Sequence, residues 1–214
     1  MNNYDENRNE DRTEEGIMEE SKTEESVVEA EKKPKGGSFL KELLKDIIIA
    51  LVIVLAITFV IKPTIVKEES MLDTLRNNDY LFINKLAYTF KDHPERGDII
   101  VFRSSLINEE TGKEMLLIKR VIGVEGDVIS FEDDQVYRNG KLLEEDYIYD
   151  EYPEDRFYPN GASYEVGQDE IFAMGDHRSV SRDSRDTSVG FVDEDAVVGK
   201  AFIRLFPFNK ICLL

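Results

Sequence analysis

The chain has 214 residues, room for one domain with appendages, and carries a net charge of −18 from 27 basic and 45 acidic side chains. That anionic surplus argues against nucleic acid as a partner, since phosphates would be repelled. The one cysteine, Cys212, leaves no internal disulfide framework and stands third from the C-terminus, one place short of a prenylation box. With no cysteine–histidine cluster, a structural zinc site is not expected, and the sequence gives no sign of another cofactor.

The charge is unevenly spread. Residues 1–31 sum to −9, residues 32–66 to +4 and residues 67–214 to −13. Residues 1–37 read as an acidic, disordered tail with a basic, glycine-bearing joint at its end, because they offer too few apolar groups to offset ordering entropy. Residues 47–61 then run IIIALVIVLAITFVI, apolar throughout except Thr58. At 1.5 Å per residue these fifteen residues span about 22 Å, and Leu43, Leu44, Ile65 and Val66 extend them toward the roughly 30 Å of a hydrocarbon core. An all-round apolar helix with lysines at both ends is better matched to lipid than to a protein core. A cleaved signal peptide is disfavoured, since residues 62–67 hold no small-x-small site and the leader is too long. Residues 38–62 are therefore expected to form an uncleaved transmembrane anchor. Lys32, Lys33, Lys35, Lys41 and Lys45 before it, against Lys62 and Lys67 after it, place the N-terminus in the cytoplasm and residues 63–214 outside.

The remainder is expected to be mainly β. Residues 80–84, 98–102, 115–124, 128–131, 170–174 and 196–205 are short apolar runs bounded by Gly, Asp or Asn. Asn139-Gly140, inside residues 136–143, marks a hairpin with a type I′ turn. Residues 144–161 are acidic and rich in Tyr and Pro, and read as a surface insertion. Beyond the anchor the only helical hint is a turn near residues 74–77.

Three stretches carry candidate chemistry: Glu68-Glu69-Ser70-Met71 just past the apolar run, Ile118-Lys119-Arg120-Val121-Ile122-Gly123, and residues 175–185, reading GDHRSVSRDSR. A serine hydroxyl attacks well only when a base takes its proton. His93, in a polar loop, and His177, among charges, are the only histidines, which makes a Ser-His-Asp triad a weak alternative. A lysine can be the base only when neutral. At the reference pKa near 10.4 only about 0.04% is neutral at pH 7, and burial shifts that balance by penalising the ammonium. Lys119 is the best candidate, since strand alternation puts Leu117, Lys119 and Val121 on one face and Ile118, Arg120 and Ile122 on the other. An edge-strand lysine pointing to solvent is the competing local reading. Read singly, Ser70 is a turn former, Met71 a core residue, and Asp183 with Arg185 an exposed pair worth little.

Taken in order, the anchor, Ser70-Met71 with Thr74-Leu75, Arg96-Gly97-Asp98-Ile99-Ile100-Val101-Phe102, Lys119-Arg120-Val121-Ile122-Gly123 with Gly126-Asp127, and Gly175-Asp176 through Asp183-Ser184-Arg185 resemble bacterial type I signal peptidases over residues 40–207. These are membrane-anchored serine proteases that cut signal peptides from exported proteins. The resemblance implies a β-barrel-like catalytic domain of antiparallel sheets. It implies Ser70 as nucleophile, Lys119 as general base, Ser181 orienting the lysine amine, and Asp183 with Arg185 bracing the site. It implies the Ser70 N–H as an oxyanion donor. Val66, Met71, Leu75 and Ile118 would shape small apolar pockets for an Ala-x-Ala-like sequence bound as an added strand. Expected partners are preprotein signal peptides, membrane lipid and the secretion translocase, at the plasma membrane. Three positions differ from the family pattern: Glu68 replaces a Gly or Ser, Asp73 a Pro, and His177 an Asn. The rival readings are a specialised maturation peptidase and a catalytically weakened, membrane-tethered binding protein of the same fold.

Overall fold

A computed structural model of the chain describes residues 36–89, 92–149 and 157–214, the side chains of residues 36–38 excepted. The expected disordered tail lies outside these residues, apart from Gly36 and Gly37, which open a helix instead of a loose joint. The chain divides into two units, Met1–Lys45 and Asp46–Leu214, and everything below concerns the second unit except where the helix begins.

Helix α1 spans Gly36–Val60. Within it Phe39–Val60 is long and apolar enough to cross a membrane: its 22 residues, none buried, measure about 33 Å. The one interior hydroxyl is satisfied locally, Thr58 Oγ1 donating to the Val54 and Leu55 carbonyls at 3.0 Å each. The helix stops two residues before the expected 62. Pro63 disfavours helical geometry at Lys62, and Ile61–Ile65 instead forms strand β1, paired antiparallel with β2 (Tyr80–Asn84).

Ten further strands follow: β3 (Ile99–Ile107), β4 (Glu114–Gly123), β5 (Val128–Glu132), β6 (Gln135–Arg138), β7 (Lys141–Leu142), β8 (Ser163–Glu165), β9 (Glu170–Met174), β10 (Val192–Asp193), β11 (Val197–Phe206) and β12 (Cys212–Leu213). They make two antiparallel sheets. The larger runs β1-β2-β11-β3-β4-β9-β10, with β12 also on β11, and the smaller runs β7-β6-β5-β8. The fold is mainly β with antiparallel sheets as expected; among the described residues neither sheet closes on itself, so the barrel-like description is loose, and the larger sheet ends at β1 and β10. Register shifts along β11, between Ala201 and Ile203 and between Arg204 and Phe206, break its ladder with β2. The Asn139-Gly140 turn joins β6 to β7 with positive φ at both residues (55° and 73°), as a type I′ turn needs.

Three buried clusters hold the sheets together. Ile129, Phe131, Val136, Phe172 and Tyr158 fill the space by the smaller sheet. Ile100, Phe102, Leu117, Val121, Ile171 and Ala173 pack across β3, β4 and β9. Val66, Met71, Leu75, Leu81, Ile99 and Ala201 pack beside β2. Most described residues of the expected surface insertion are exposed or partly buried, while two of its side chains reach inward. Tyr158 sits in the first cluster, and Glu145 forms an ion pair with the fully buried Arg178.

Candidate active site

Ser70 sits on a compact loop between β1 and β2 whose shape follows from its apolar residues. Val66, Met71 and Leu75 are all buried in one cluster, so the loop folds back over them. Backbone bonds close it: Val66 N–H to Asp79 O at 2.9 Å, Asn78 N–H to Val66 O at 2.8 Å, and Leu75 N–H to Met71 O at 2.7 Å. That last bond closes a single turn over residues 71–75, ahead of the turn expected near residues 74–77. Asp73, in place of proline, turns outward and pairs with Arg76.

Lys119 lies on β4 opposite Ile100 of β3. The alternation read from sequence holds: Leu117, Lys119 and Val121 are buried. Lys119 is 0% exposed and Ser70 only 7%, and Lys119 Nζ stands 2.7 Å from Ser70 Oγ. The solvent-facing alternative for this lysine is thereby excluded. Burial in apolar surroundings pushes its amine below the usual lysine range. Asp183, Glu68 and Asp176 pull it back up and Arg185 lowers it further, and burial prevails. A neutral amine at this distance can accept the serine proton.

Residues 175–185 frame the pair. Arg185 grips Asp183 with two guanidinium N–H bonds of 2.8 Å, and both side chains are buried. Burial pushes the Asp183 carboxyl up. The Arg185 guanidinium, with help from Ser181 and the Gly175 N–H, outweighs that and holds it below the usual carboxylate range. The pair is therefore a buried brace, and the exposed-pair reading fails. Asp183 also accepts the Gly175 N–H at 2.9 Å. Gly175 has to be glycine, because a Cβ there would stand 2.3 Å from Ser181 Oγ and 2.4 Å from Ser70 O. Ser181 is thus beside the nucleophile loop, but its buried Oγ has no well-formed hydrogen bond among the described residues, Lys119 Nζ included. His177 is not a triad base. Its Nδ1 meets Glu69 O at 3.3 Å, and its backbone N–H donates to Ser70 O at 3.1 Å. His93 is exposed and lies 2.7 Å from Glu194.

Two grooves meet at Ser70. The first, of about 470 Å3, is lined by Ile65, Val66, Met71, Val101, Leu116 and Ile118 among others. The second, of about 570 Å3, includes Glu69, Val180 and Arg182, with Lys67, Glu68 and Met115 common to both. Val66, Met71 and Ile118 thus occur where pocket residues were expected. Leu75 does not: it is fully buried beneath the groove, in the core under the nucleophile loop.

Sequence reasoning missed the tie that joins the three stretches. Asp176 is fully buried and accepts two bonds from Arg120, at 2.9 and 2.7 Å, and one from Thr74 Oγ1 at 2.5 Å. The Arg120 guanidinium also stacks on Tyr147, 4.0 Å from the ring centroid. The available signal was the arginine beside the candidate base, which strand alternation sends to the opposite face. Among the described residues no group of three His, Cys, Asp or Glu side chains could hold a metal ion.

Residues 40–206 match the family model described as signal peptidase, peptidase S26. Signal peptidase I of Leptolyngbya laminosa is 36% identical over 185 residues, covering 85% of this chain and 87% of that one. Probable signal peptidase I-2 of Synechocystis is 35% identical, over 81% of this chain and 76% of that one. Signal peptidase I P of Bacillus subtilis subsp. natto is 35% identical, covering 85% and 97%.

Proposed function

The chain belongs to the signal peptidase family, peptidase S26, and is a serine endopeptidase; from that premise we propose that it removes signal peptides after small-x-small sites with a Ser70 nucleophile and a Lys119 base, anchored by α1. The observation carrying this reading is the 2.7 Å approach of Lys119 Nζ to Ser70 Oγ in a buried setting.

In this reading Ser70 Oγ attacks the scissile carbonyl while its proton passes to the neutral Lys119 amine. The Ser70 N–H donates to the oxyanion, a type of contact often worth about 3–4 kcal/mol. Lys119, now an ammonium, protonates the departing amine and breaks the C–N bond. Neutral again, it takes a proton from the water that hydrolyses the acyl-serine. The substrate lies extended beside β1, whose outer edge has no strand partner among the described residues, with small side chains toward Val66, Met71 and Ile118. Asp183, Arg185 and Ser181 hold the frame and do not touch the reacting atoms. The preprotein arrives from the secretion translocase, and the catalytic part works on the outer face of the plasma membrane.

Purified in detergent with a preprotein, the wild-type chain should release a mature product whose N-terminus follows a small-x-small site. Ser70→Ala should reduce the rate to background while melting normally. Undiminished processing by a folded Ser70→Ala chain contradicts the assignment.

A further inference from the structure

We propose that His177 is a positioning residue that aims the Ser70 N–H at the developing oxyanion by fixing the peptide unit joining Glu69 to Ser70. This rests on Ser70 as the nucleophile and extends that reading to the residue that orients its donor.

In a trans peptide unit the C=O and N–H point in opposite directions. Holding the Glu69 carbonyl therefore dictates where the Ser70 N–H points. That carbonyl accepts from two sides: the Leu72 N–H at 3.2 Å within the loop and His177 Nδ1 at 3.3 Å from across the site. Because a carbonyl can only accept, the ring presents Nδ1–H there. The next carbonyl, that of Ser70, is held by the same residue through the His177 backbone N–H at 3.1 Å. One residue thus grips both carbonyls flanking the nucleophile's backbone N–H. The Ser70 N–H itself donates to no backbone carbonyl among the described residues, so it is available to a ligand.

The gripping residue is itself held. Its ring stands edge-on to Tyr149, with centroids 5.1 Å apart, and the Tyr149 N–H donates to Asp176 O at 3.1 Å. Asp176 precedes His177 and carries the buried bonds to Arg120 and Thr74. The ring thus follows directly on a residue held through both its carboxylate and its carbonyl. A bond to the Glu69 oxygen also polarises the amide, making its N–H a better donor, and that gain grows as negative charge appears on the substrate oxygen. The effect belongs to the transition state, so it should move kcat and leave KM in place.

The test uses the full chain in detergent with four variants: His177→Ala, His177→Phe, His177→Asn and, as control, Ser70→Ala. His177→Phe keeps a ring against Tyr149 but has no donor, whereas His177→Asn keeps a donor without the ring. Expected are losses in kcat of about ten-fold for His177→Ala and His177→Phe with KM within about two-fold. Both should lose affinity for a small-x-small peptide aldehyde, whose hemiacetal mimics the oxyanion, by the same factor as kcat. His177→Asn should recover most of both. Wild-type kcat in folded His177→Ala overturns the proposal, as does recovery by Phe and not by Asn. An active Ser70→Ala chain would instead mean that the serine reading itself is wrong.

Discussion

At the residue scale the account turns on Lys119. A lysine on a strand is ordinarily a solvent-facing residue, and the sequence left that reading level with burial. What decides the matter is Ser70, 49 positions away in sequence, whose loop covers the amine. No local pattern reports that closure, and only the ordered set of motifs pointed to it. The same holds for Asp183, legible as half of a pair but not as fully buried. Leu75 and Ser181 show the limit of residue-by-residue transfer: one lies beneath the groove, and the other is near the site without a bond to the lysine. The lowered Lys119 pKa also has a thermodynamic consequence. In the unfolded chain this lysine binds a proton up to about pH 10.4, while in the native chain it gives it up at a lower pH, so wild-type stability rises with pH between the lowered native value and that limit. Lys119→Met removes the penalty. Urea unfolding at several pH values should show the variant more stable than wild type near pH 7, with the difference shrinking toward pH 10. A pH-independent difference contradicts a neutral amine.

At the element scale, long strongly patterned segments were legible and short ones were not. Strands β2, β4, β5, β9 and most of β11 lie where apolar runs predicted them, and the Asn-Gly turn where its φ preference put it. Strand β1 was missed because Ile61 and Lys62 were assigned to the anchor and Ile65 was read as extending its apolar run, and its strand character comes from pairing with β2. Strands β8, β10 and β12 have two or three residues each, below the length at which alternation is visible. The long apolar helix was legible by length and composition, while its end at Val60 came from the proline that follows. Its orientation is testable: protease added outside intact cells should degrade the chain beyond β1 and spare an epitope fused to Met1. Protection of the catalytic part with loss of the N-terminal epitope contradicts the proposed topology.

At the scale of the whole molecule, three distant segments meet: a loop after an apolar helix, a central strand and a charged loop near the end of the chain. The ties are polar and buried, with Arg120 and Thr74 on Asp176, Arg185 on Asp183, and Lys119 on Ser70. Such groups are costly to bury unless paired, and each carboxylate and guanidinium named here is paired. The Lys119 amine is the exception, bonded to the Ser70 hydroxyl without a carboxylate partner of its own, and burial lowers its pKa. The most direct test is therefore the pH dependence of kcat/KM for preprotein cleavage by the wild-type chain and Lys119→Ala. The wild-type rate should rise from acid toward alkaline pH and level off with a midpoint well below 10.4, while Lys119→Ala stays at background throughout. A wild-type maximum near pH 5, or normal cleavage by folded Lys119→Ala, would contradict the lysine as base.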